Sequence, residues 1–316
     1  MAGIDEKIVN AQANAEDEEL NALTNGGKRL ALFRRYRSEP RVIAEADGIW
    51  APDIRRVALI DELRGVCVLC MVCYHSFFIL DTQFGVAWSA KLYEFLRPAQ
   101  PIFAGLFIVI SGVCARLSQD IKKRGLVRAV YAALITFATV LLLPALGFEN
   151  MQVWFGVLHL LAASALLFAL GMKAFNRIPA PVGALVCLGL FLFFAPVSQG
   201  YFGMFGFHFD LPESLYQNNA LAFLGFYRPD FAAWDHFPLL PWFFLFLFGT
   251  FIGKFVKREK GETELEKEGL PEFCYRQHSS FFGFLGRHAL LTYLLHIPVF
   301  YGLSYCLQTL FSVGKP

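Results

Sequence analysis

The stretch RRVALIDELRGVCVLCMVCYHSFFILD, residues 55–81, decides the fold class of this chain. Two arginines precede an apolar run that starts at Val57 and continues to Leu80, with only a few ionisable side chains along it. A hydrocarbon core of ~30 Å needs about 20 residues of helix. The stretch therefore predicts a transmembrane helix over residues 57–80.

Further apolar runs follow this first one. They cover residues 98–116, 127–147, 152–172, 179–198, 237–255 and 285–311. Charged residues make up only 17% of the chain, against about 25% in an average soluble domain. We therefore expect an all-α fold, a polytopic transmembrane helix bundle with about seven spans (roughly six to eight). The Gly- and aromatic-rich stretch SQGYFGMFGFHFDLPES, residues 198–214, is expected at the membrane interface and not across it.

The distribution of charge predicts an orientation. Lysines and arginines cluster in alternate loops, and by the positive-inside rule these loops are cytosolic. This places the N-terminus in the cytosol and the protein in the cell (cytoplasmic) membrane as a multi-pass protein. Residues 1–50 are polar and are expected to form a cytosolic tail, whereas residues 51–316 form the transmembrane domain. The net charge of +2 gives no reason to expect nucleic acid as a partner; the lipid bilayer is the expected one.

Three ionisable residues of the first span share one face. At about 100° per residue, Arg64 lies about 60° from Asp61, and His75 about 20° from Arg64. Arg64 lies near the cytosolic end, and His75 about 16 Å further along the helix. Ionisable groups inside a span are costly and often functional. Arg64 is then a candidate for binding an anionic group, and His75 for proton or acyl chemistry. The alternatives are an i,i+3 pair of Asp61 with Arg64 at the interface, and a lone buried histidine.

Cysteines of the same span have a spacing that resembles a metal-binding run. Cys67, Cys70 and Cys73 lie about 120–240° from Asp61 on the opposite face of the helix. Side chains facing lipid or a neighbouring helix make poor ligand sets, so we expect packing and no metal site.

Other spans add further polar candidates. Ser111 is placed to bond a substrate or to allow close helix packing, and Arg116 to contact a phosphate or to extend toward the interface. His159, His296 and the acidic Asp235 before the sixth span are expected to converge with His75 in one polar cavity. Such a cavity fits three classes of function: acyl transfer across the membrane, transport of a solute or proton without acyl transfer, and a scaffold whose polar residues only hold helices together.

Five motifs favour the first class. RxxALIDELRGxxxxxMVxYH, GLFIVISGVCARLS, FGVLHLLAAS, DHFPLLPWFFLFLFGTFIGK and LGRHALLTYLLHIPV occur in this order between about residues 55 and 305. They resemble the bacterial branch of the heparan-α-glucosaminide N-acetyltransferase catalytic-domain family. The spacing of Arg64 and His75 also resembles that of inner-membrane acyltransferases that modify surface sugars.

This resemblance implies a transmembrane N- or O-acyltransferase. The donor would be acetyl-CoA or another acyl-CoA used from the cytosolic side, and the acceptor an amino sugar, glycan or other molecule at the outer side. His75, Arg64, Asp61 and Asp235 match motif positions and are the expected catalytic residues. Arg64, Arg116 and Ser111 are the expected acyl-CoA-binding residues, and His296 matches the histidine of the last span.

Overall fold

The structure is a computed structural model that describes residues 56–118, 120–145, 151–256 and 270–312. The predicted N-terminal tail, residues 1–50, lies outside these ranges. The helices are α1 (Ala58–Thr82), α2 (Ala87–Leu96), α3 (Gln100–Leu117), α4 (Ile121–Phe137), α5 (Val157–Arg177), α6 (Ala180–Phe194), α7 (Leu239–Val256), α8 (Glu272–Tyr275), α9 (Ser280–Arg287) and α10 (Ala289–Ser312). A π-helical stretch, Ala138–Leu142, and a last turn, Leu143–Ala145, continue α4.

Seven helical segments of the described ranges are long and apolar enough to cross a membrane, so the predicted all-α polytopic bundle is confirmed. The second segment begins at Ala87, earlier than expected, because α2 joins α3 through the 3₁₀ turn Arg97–Ala99. The third segment begins at Ile121 and not at the predicted residue 127. Its first turn carries Lys122, Lys123 and Arg124, whose long side chains can reach the interface, so these charges do not prevent a helix. The last predicted span is divided at His288, where α9 ends and α10 follows.

The segment between α6 and α7 does not span, in agreement with the sequence. It contains a two-stranded antiparallel hairpin, β1 (Tyr201–Met204) and β2 (Phe207–Asp210), in which Met204 pairs with Phe207. Short 3₁₀ turns follow at Glu213–Tyr216 and Ala222–Leu224. The loop that leads into α7 returns to the bundle and carries Asp235.

The core lies where α3, α5 and α7 pack together. Ile108, Leu160, Phe168 and Phe246 are fully shielded there. Gly112 allows the close approach of α3 to α7, because a Cβ at this position would overlap the Phe246 carbonyl. Helix α1 packs on this three-helix core through α3.

Helix α1 packs against α2, α3, α9 and α10. Gly65, directly after Arg64, brings the backbone of α9 into contact with α1, and a Cβ there would overlap the Phe282 carbonyl. This contact holds the polar segment Asp61–Arg64 beside the end of α9. The other end of α1 faces α10, so a single helix contributes to two separate polar clusters.

Candidate active site

The first cluster is a pair of histidines inside the bundle. His75 of α1 and His296 of α10 contact each other through Nδ1 and Nε2 at 3.0 Å. Their rings are stacked, with centroids 5.2 Å apart and planes at 26°. The two residues are 221 positions apart in sequence, so the packing of α10 on α1 creates the pair.

The hydrogen bonds of the pair assign a tautomer to each neutral ring. A backbone carbonyl can only accept, so His296 Nδ1 donates to the Tyr293 carbonyl at 2.7 Å. His296 Nε2 then holds a lone pair and accepts from His75 Nδ1–H. The remaining nitrogen, His75 Nε2, therefore carries a lone pair, and no group of the described residues donates to it. A neutral imidazole with this free lone pair is suited to act as a base or a nucleophile.

A cavity of about 160 Å³ adjoins His75. We call it the histidine cavity. It is formed by side chains of α1, α3 and α10, the first residue of α5 and the loop before α7. Its polar lining residues are Tyr74, His75, Gln100, Asp235, His236 and Tyr293; the others are Cys67, Val68, Met71, Phe103, Ala104, Phe107, Val157, Trp234 and Phe237.

Asp235 connects three parts of the site. Its Oδ2 accepts from the Val157 backbone N–H at 3.1 Å and from the Tyr293 hydroxyl. The carboxylate thus caps the start of α5, where free N–H groups favour a negative charge. Burial raises the pKa of Asp235, and these two hydrogen bonds oppose that rise. The second oxygen, Oδ1, accepts no hydrogen bond from the described residues and belongs to a side chain that lines the cavity.

His159 lies next to this site but serves α5. Its Nδ1 accepts from the Gly156 N–H at 3.2 Å. Its Nε2 is then the protonated nitrogen and donates to Thr136 Oγ1 at 3.0 Å, while that hydroxyl donates to the Val153 carbonyl. Both ring nitrogens are used to join the start of α5 to α4. His159 is not among the lining residues of the histidine cavity.

His236 also lines the histidine cavity, and the sequence analysis gave it no role. Its Nδ1 and Nε2 are buried and have no hydrogen-bond partner among the described residues. Burial lowers its pKa to about 4, with the nearby Phe155 carbonyl acting in the opposite direction. The signal in the sequence was a histidine directly after Asp235, in the loop that returns to the bundle.

The second cluster lies at the start of α1, and we call it the arginine end. Arg64 Nη1 contacts Asp61 Oδ1 at 3.4 Å and donates to the Gly286 carbonyl at 3.3 Å, while Nη2 donates to Cys114 Sγ at 2.5 Å. Asp61 also accepts from Arg56 Nε at 2.6 Å. These contacts fix the guanidinium of Arg64 between α1, α3 and α9.

More positive charge surrounds this cluster. Arg124 and Arg128 of α4 act electrostatically on Cys114, as Arg64 does. The sequence analysis used Arg124 and Arg128 only to predict orientation, because their approach to Arg64 depends on how α4 packs. Three arginines near one point favour binding of a phosphate or another anion.

Two further predicted donor-binding residues are placed elsewhere. Arg116 is buried, donates to Asn176 Oδ1 at 2.5 Å and lies over the Phe168 ring, so it links α3 to α5. Ser111 is buried and donates to the Phe107 carbonyl of its own helix at 2.8 Å. Neither residue lines the histidine cavity.

The cysteines of α1 were expected to pack on the face of the helix away from Asp61. Cys67 is buried and lines the histidine cavity beside His75. In the described ranges, no three His, Cys, Asp or Glu side chains come together in a group that could hold a metal ion.

A comparison with protein families covers the part of the chain that carries both clusters. The model of the family described as "Heparan-alpha-glucosaminide N-acetyltransferase, catalytic" matches residues 56–298, which include both clusters. Searches of curated proteins and of solved structures found no match. The family match covers well over half of the 316 residues. The chain therefore belongs to the heparan-α-glucosaminide N-acetyltransferase catalytic family.

Proposed function

We propose that this membrane protein transfers an acetyl or other acyl group from cytosolic acyl-CoA to an amine or hydroxyl of an acceptor at the outer side of the membrane. The acceptor class is an amino sugar, a glycan or another molecule with such a group. The observation that carries the proposal is the free lone pair on His75 Nε2. His296 holds the ring through its other nitrogen, Nδ1, and the ring lines a cavity inside an apolar bundle.

His75 is the catalytic base in this proposal. The acceptor nitrogen or oxygen attacks the thioester carbonyl and its proton passes to His75 Nε2. The carbon–sulfur bond then breaks, and His75 returns the proton to the departing thiolate, which releases CoA. The His75 Nδ1–H bond to His296 is retained throughout and stabilises the imidazolium that forms. In a second route, His75 Nε2 attacks the thioester carbonyl, and the carbon–sulfur bond breaks to release CoA as its thiolate. The acceptor nitrogen or oxygen then takes the acyl group from His75, and the acceptor's proton balances the thiolate that has left. The geometry is compatible with both routes.

The arginine end binds the donor in this proposal. The phosphates of acyl-CoA are anionic, and Arg64, Arg124 and Arg128 supply positive charge at one place. Asp61 holds Arg64 in position through their ion pair. His75 lies eleven residues, or about 16 Å, further along α1. CoA carries its thioester on a long pantetheine arm. Its phosphates can therefore bind at the arginine end while the thioester lies near His75.

The proposal is tested by acyl transfer in sealed vesicles of defined orientation. Acetyl-CoA is supplied on one side, and release of free CoA thiol and acylation of glucosamine on the other side are measured. We expect the wild type to acylate the acceptor across the bilayer, and His75→Ala to lower kcat by about 10²- to 10⁴-fold. His288→Gln, at the break between α9 and α10, serves as the matched histidine control.

Two outcomes would contradict the proposal. Full activity of His75→Ala would remove His75 from the chemistry. Absence of acyl-CoA binding and turnover in the wild type would reject acyl transfer itself. Flux of solute or protons without consumption of acyl-CoA would favour the transporter alternative instead.

A further inference from the structure

We infer that His236 and Asp235 Oδ1 together bind the acceptor, as a pair that hydrogen-bonds the hydroxyl or amine groups of a polyhydroxylated substrate. This inference rests on the proposed function, because the histidine cavity is taken as the place where the acceptor meets His75. It concerns the side of the cavity formed by the loop before α7, which the proposed chemistry has not yet used.

The first observation is that His236 lacks hydrogen-bond partners. Both ring nitrogens are shielded, and neither meets a donor or acceptor of ordinary geometry among the described residues. The Phe155 carbonyl lies near enough to the ring to raise its pKa, but it does not meet hydrogen-bond geometry with either nitrogen. It accepts from the Phe237 backbone N–H at 3.0 Å. Buried polar atoms in native proteins are nearly always paired, so such a ring requires an explanation. The ring lines the histidine cavity, so a ligand that enters the cavity and shifts the ring slightly supplies the missing partner.

The second observation is that the His236 ring is held in place. The rings of Tyr227 and Phe231 contact it edge-on, with centroids 5.1 Å and 5.0 Å away and interplanar angles of 89° and 70°. These contacts restrict the positions that the ring can take, which lowers the entropic cost of binding.

The third observation distinguishes His236 from the other buried histidines. His75 and His296 bond each other, and His159 uses both nitrogens between Gly156 and Thr136. At neutral pH the His236 ring is uncharged, because its pKa of about 4 lies well below 7. It then offers one N–H and one lone pair, the set that a hydroxyl or an amine group matches.

The neighbouring carboxylate completes the pair. Asp235 Oδ2 is committed to Val157 and Tyr293, whereas Oδ1 accepts nothing from the described residues. Asp235 Oδ1 can only accept, while His236 can donate and accept. A substrate that carries adjacent hydroxyl or amine groups engages both at once. A purely apolar acceptor would leave them unpaired, and we expect the cavity to reject it.

The test compares His236→Phe with His236→Gln. Phenylalanine keeps the ring and its edge-on contacts but removes both nitrogens, and glutamine restores a donor and an acceptor. With acetyl-CoA as donor and glucosamine as acceptor, His236→Phe should raise the acceptor KM by about 10- to 100-fold. The KM for acetyl-CoA should not change, and His236→Gln should recover part of the loss. His208→Gln, an exposed histidine of the hairpin, is the matched control.

A melting measurement tests the same inference without any acceptor. Because the ring nitrogens have no partner in the free protein, His236→Phe should keep a Tm within about 2 °C of the wild type or raise it. A clear fall in Tm would show that the nitrogens serve the fold and would overturn the inference. An unchanged glucosamine KM would overturn it as well. A wild type that transfers nothing contradicts the proposed function, and the melting comparison still decides the role of His236.

Discussion

The two ends of α1 contrast in charge. The arginine end is ionic: Arg64 and Arg56 meet Asp61, and Arg124 and Arg128 add to the positive potential around Cys114. The end that carries His75 is neutral by comparison, with one histidine bonded to another beside a small cavity. Both clusters include residues of α1, and the residues that other helices contribute determine the difference in charge.

This contrast follows from the cost of burying charge. An ion inside an apolar bundle is expensive unless it is paired, so arginines collect at the end of the helix, where carboxylates and backbone carbonyls can meet them. An imidazole can be buried uncharged and still carry a reactive lone pair. The separation therefore favours anion binding at one end and proton or acyl chemistry at the other.

Breaking the His75–His296 contact should impair the neutral end alone. His296→Phe removes the acceptor of His75 Nδ1–H, so the tautomer that exposes the Nε2 lone pair is no longer favoured. We expect kcat to fall by about 10- to 100-fold, with little change in the KM for acyl-CoA. The measurement is steady-state acyl transfer by purified protein.

A matched variant distinguishes positioning from packing at this site. In His296→Gln the side-chain carbonyl can accept from His75 Nδ1–H, and part of the lost kcat should return. Equal activities of the Phe and Gln variants would show that the hydrogen bond has no effect on the reaction.

Removing the charge of Arg64 should impair the arginine end alone. Arg64→Met keeps an unbranched side chain but loses the guanidinium, and we expect the KM for acyl-CoA to rise by about 10-fold, with kcat nearly retained. The wild-type KM should also rise with salt concentration, since screening weakens contacts between charges. The measurement is acyl transfer at several donor and salt concentrations.

Arg97→Met is the control for this prediction. Arg97 is exposed and pairs with Glu94 of α2, so its loss should leave the donor KM unchanged. If Arg64→Met lowers kcat and leaves the KM for acyl-CoA unchanged, Arg64 acts in the chemical step and not in donor binding, which contradicts the proposed roles of the two ends.

Much of the fold could be predicted because it depends on local patterns. Apolar runs indicated the number of spans, and the first run placed Arg64 and His75 in one helix, as the structure has them. Pairing between helices could not be predicted in the same way. His159 and His296 both follow apolar residues in the sequence, yet only His296 reaches His75. The difference depends on the rotation of α5 and α10 about their axes.

Packing between helices also explains why some residues of the two clusters could not be predicted. Nothing local to Arg124 and Arg128 indicates that α4 brings them near Cys114. His236 looked like a surface residue because it lies outside the apolar runs, but its loop returns to the bundle. Conversely, Arg116 was predicted to contact a phosphate because it lies at the cytosolic end of the second span, whereas its side chain contacts Asn176 and Phe168.

The smallest expected effect concerns His159, which belongs to neither end. Thr136→Val removes the hydroxyl that accepts from His159 Nε2–H and donates to the Val153 carbonyl. Losing both bonds should lower the free energy of unfolding by about 1–3 kcal/mol and leave kcat and both KM values unchanged. Thermal unfolding measured beside acyl transfer checks this, with Thr82→Val, whose hydroxyl bonds only its own helix, as the control. A loss of transfer without a loss of stability would instead place His159 in the reaction, because an imidazole that only supports α5 affects activity solely through folding.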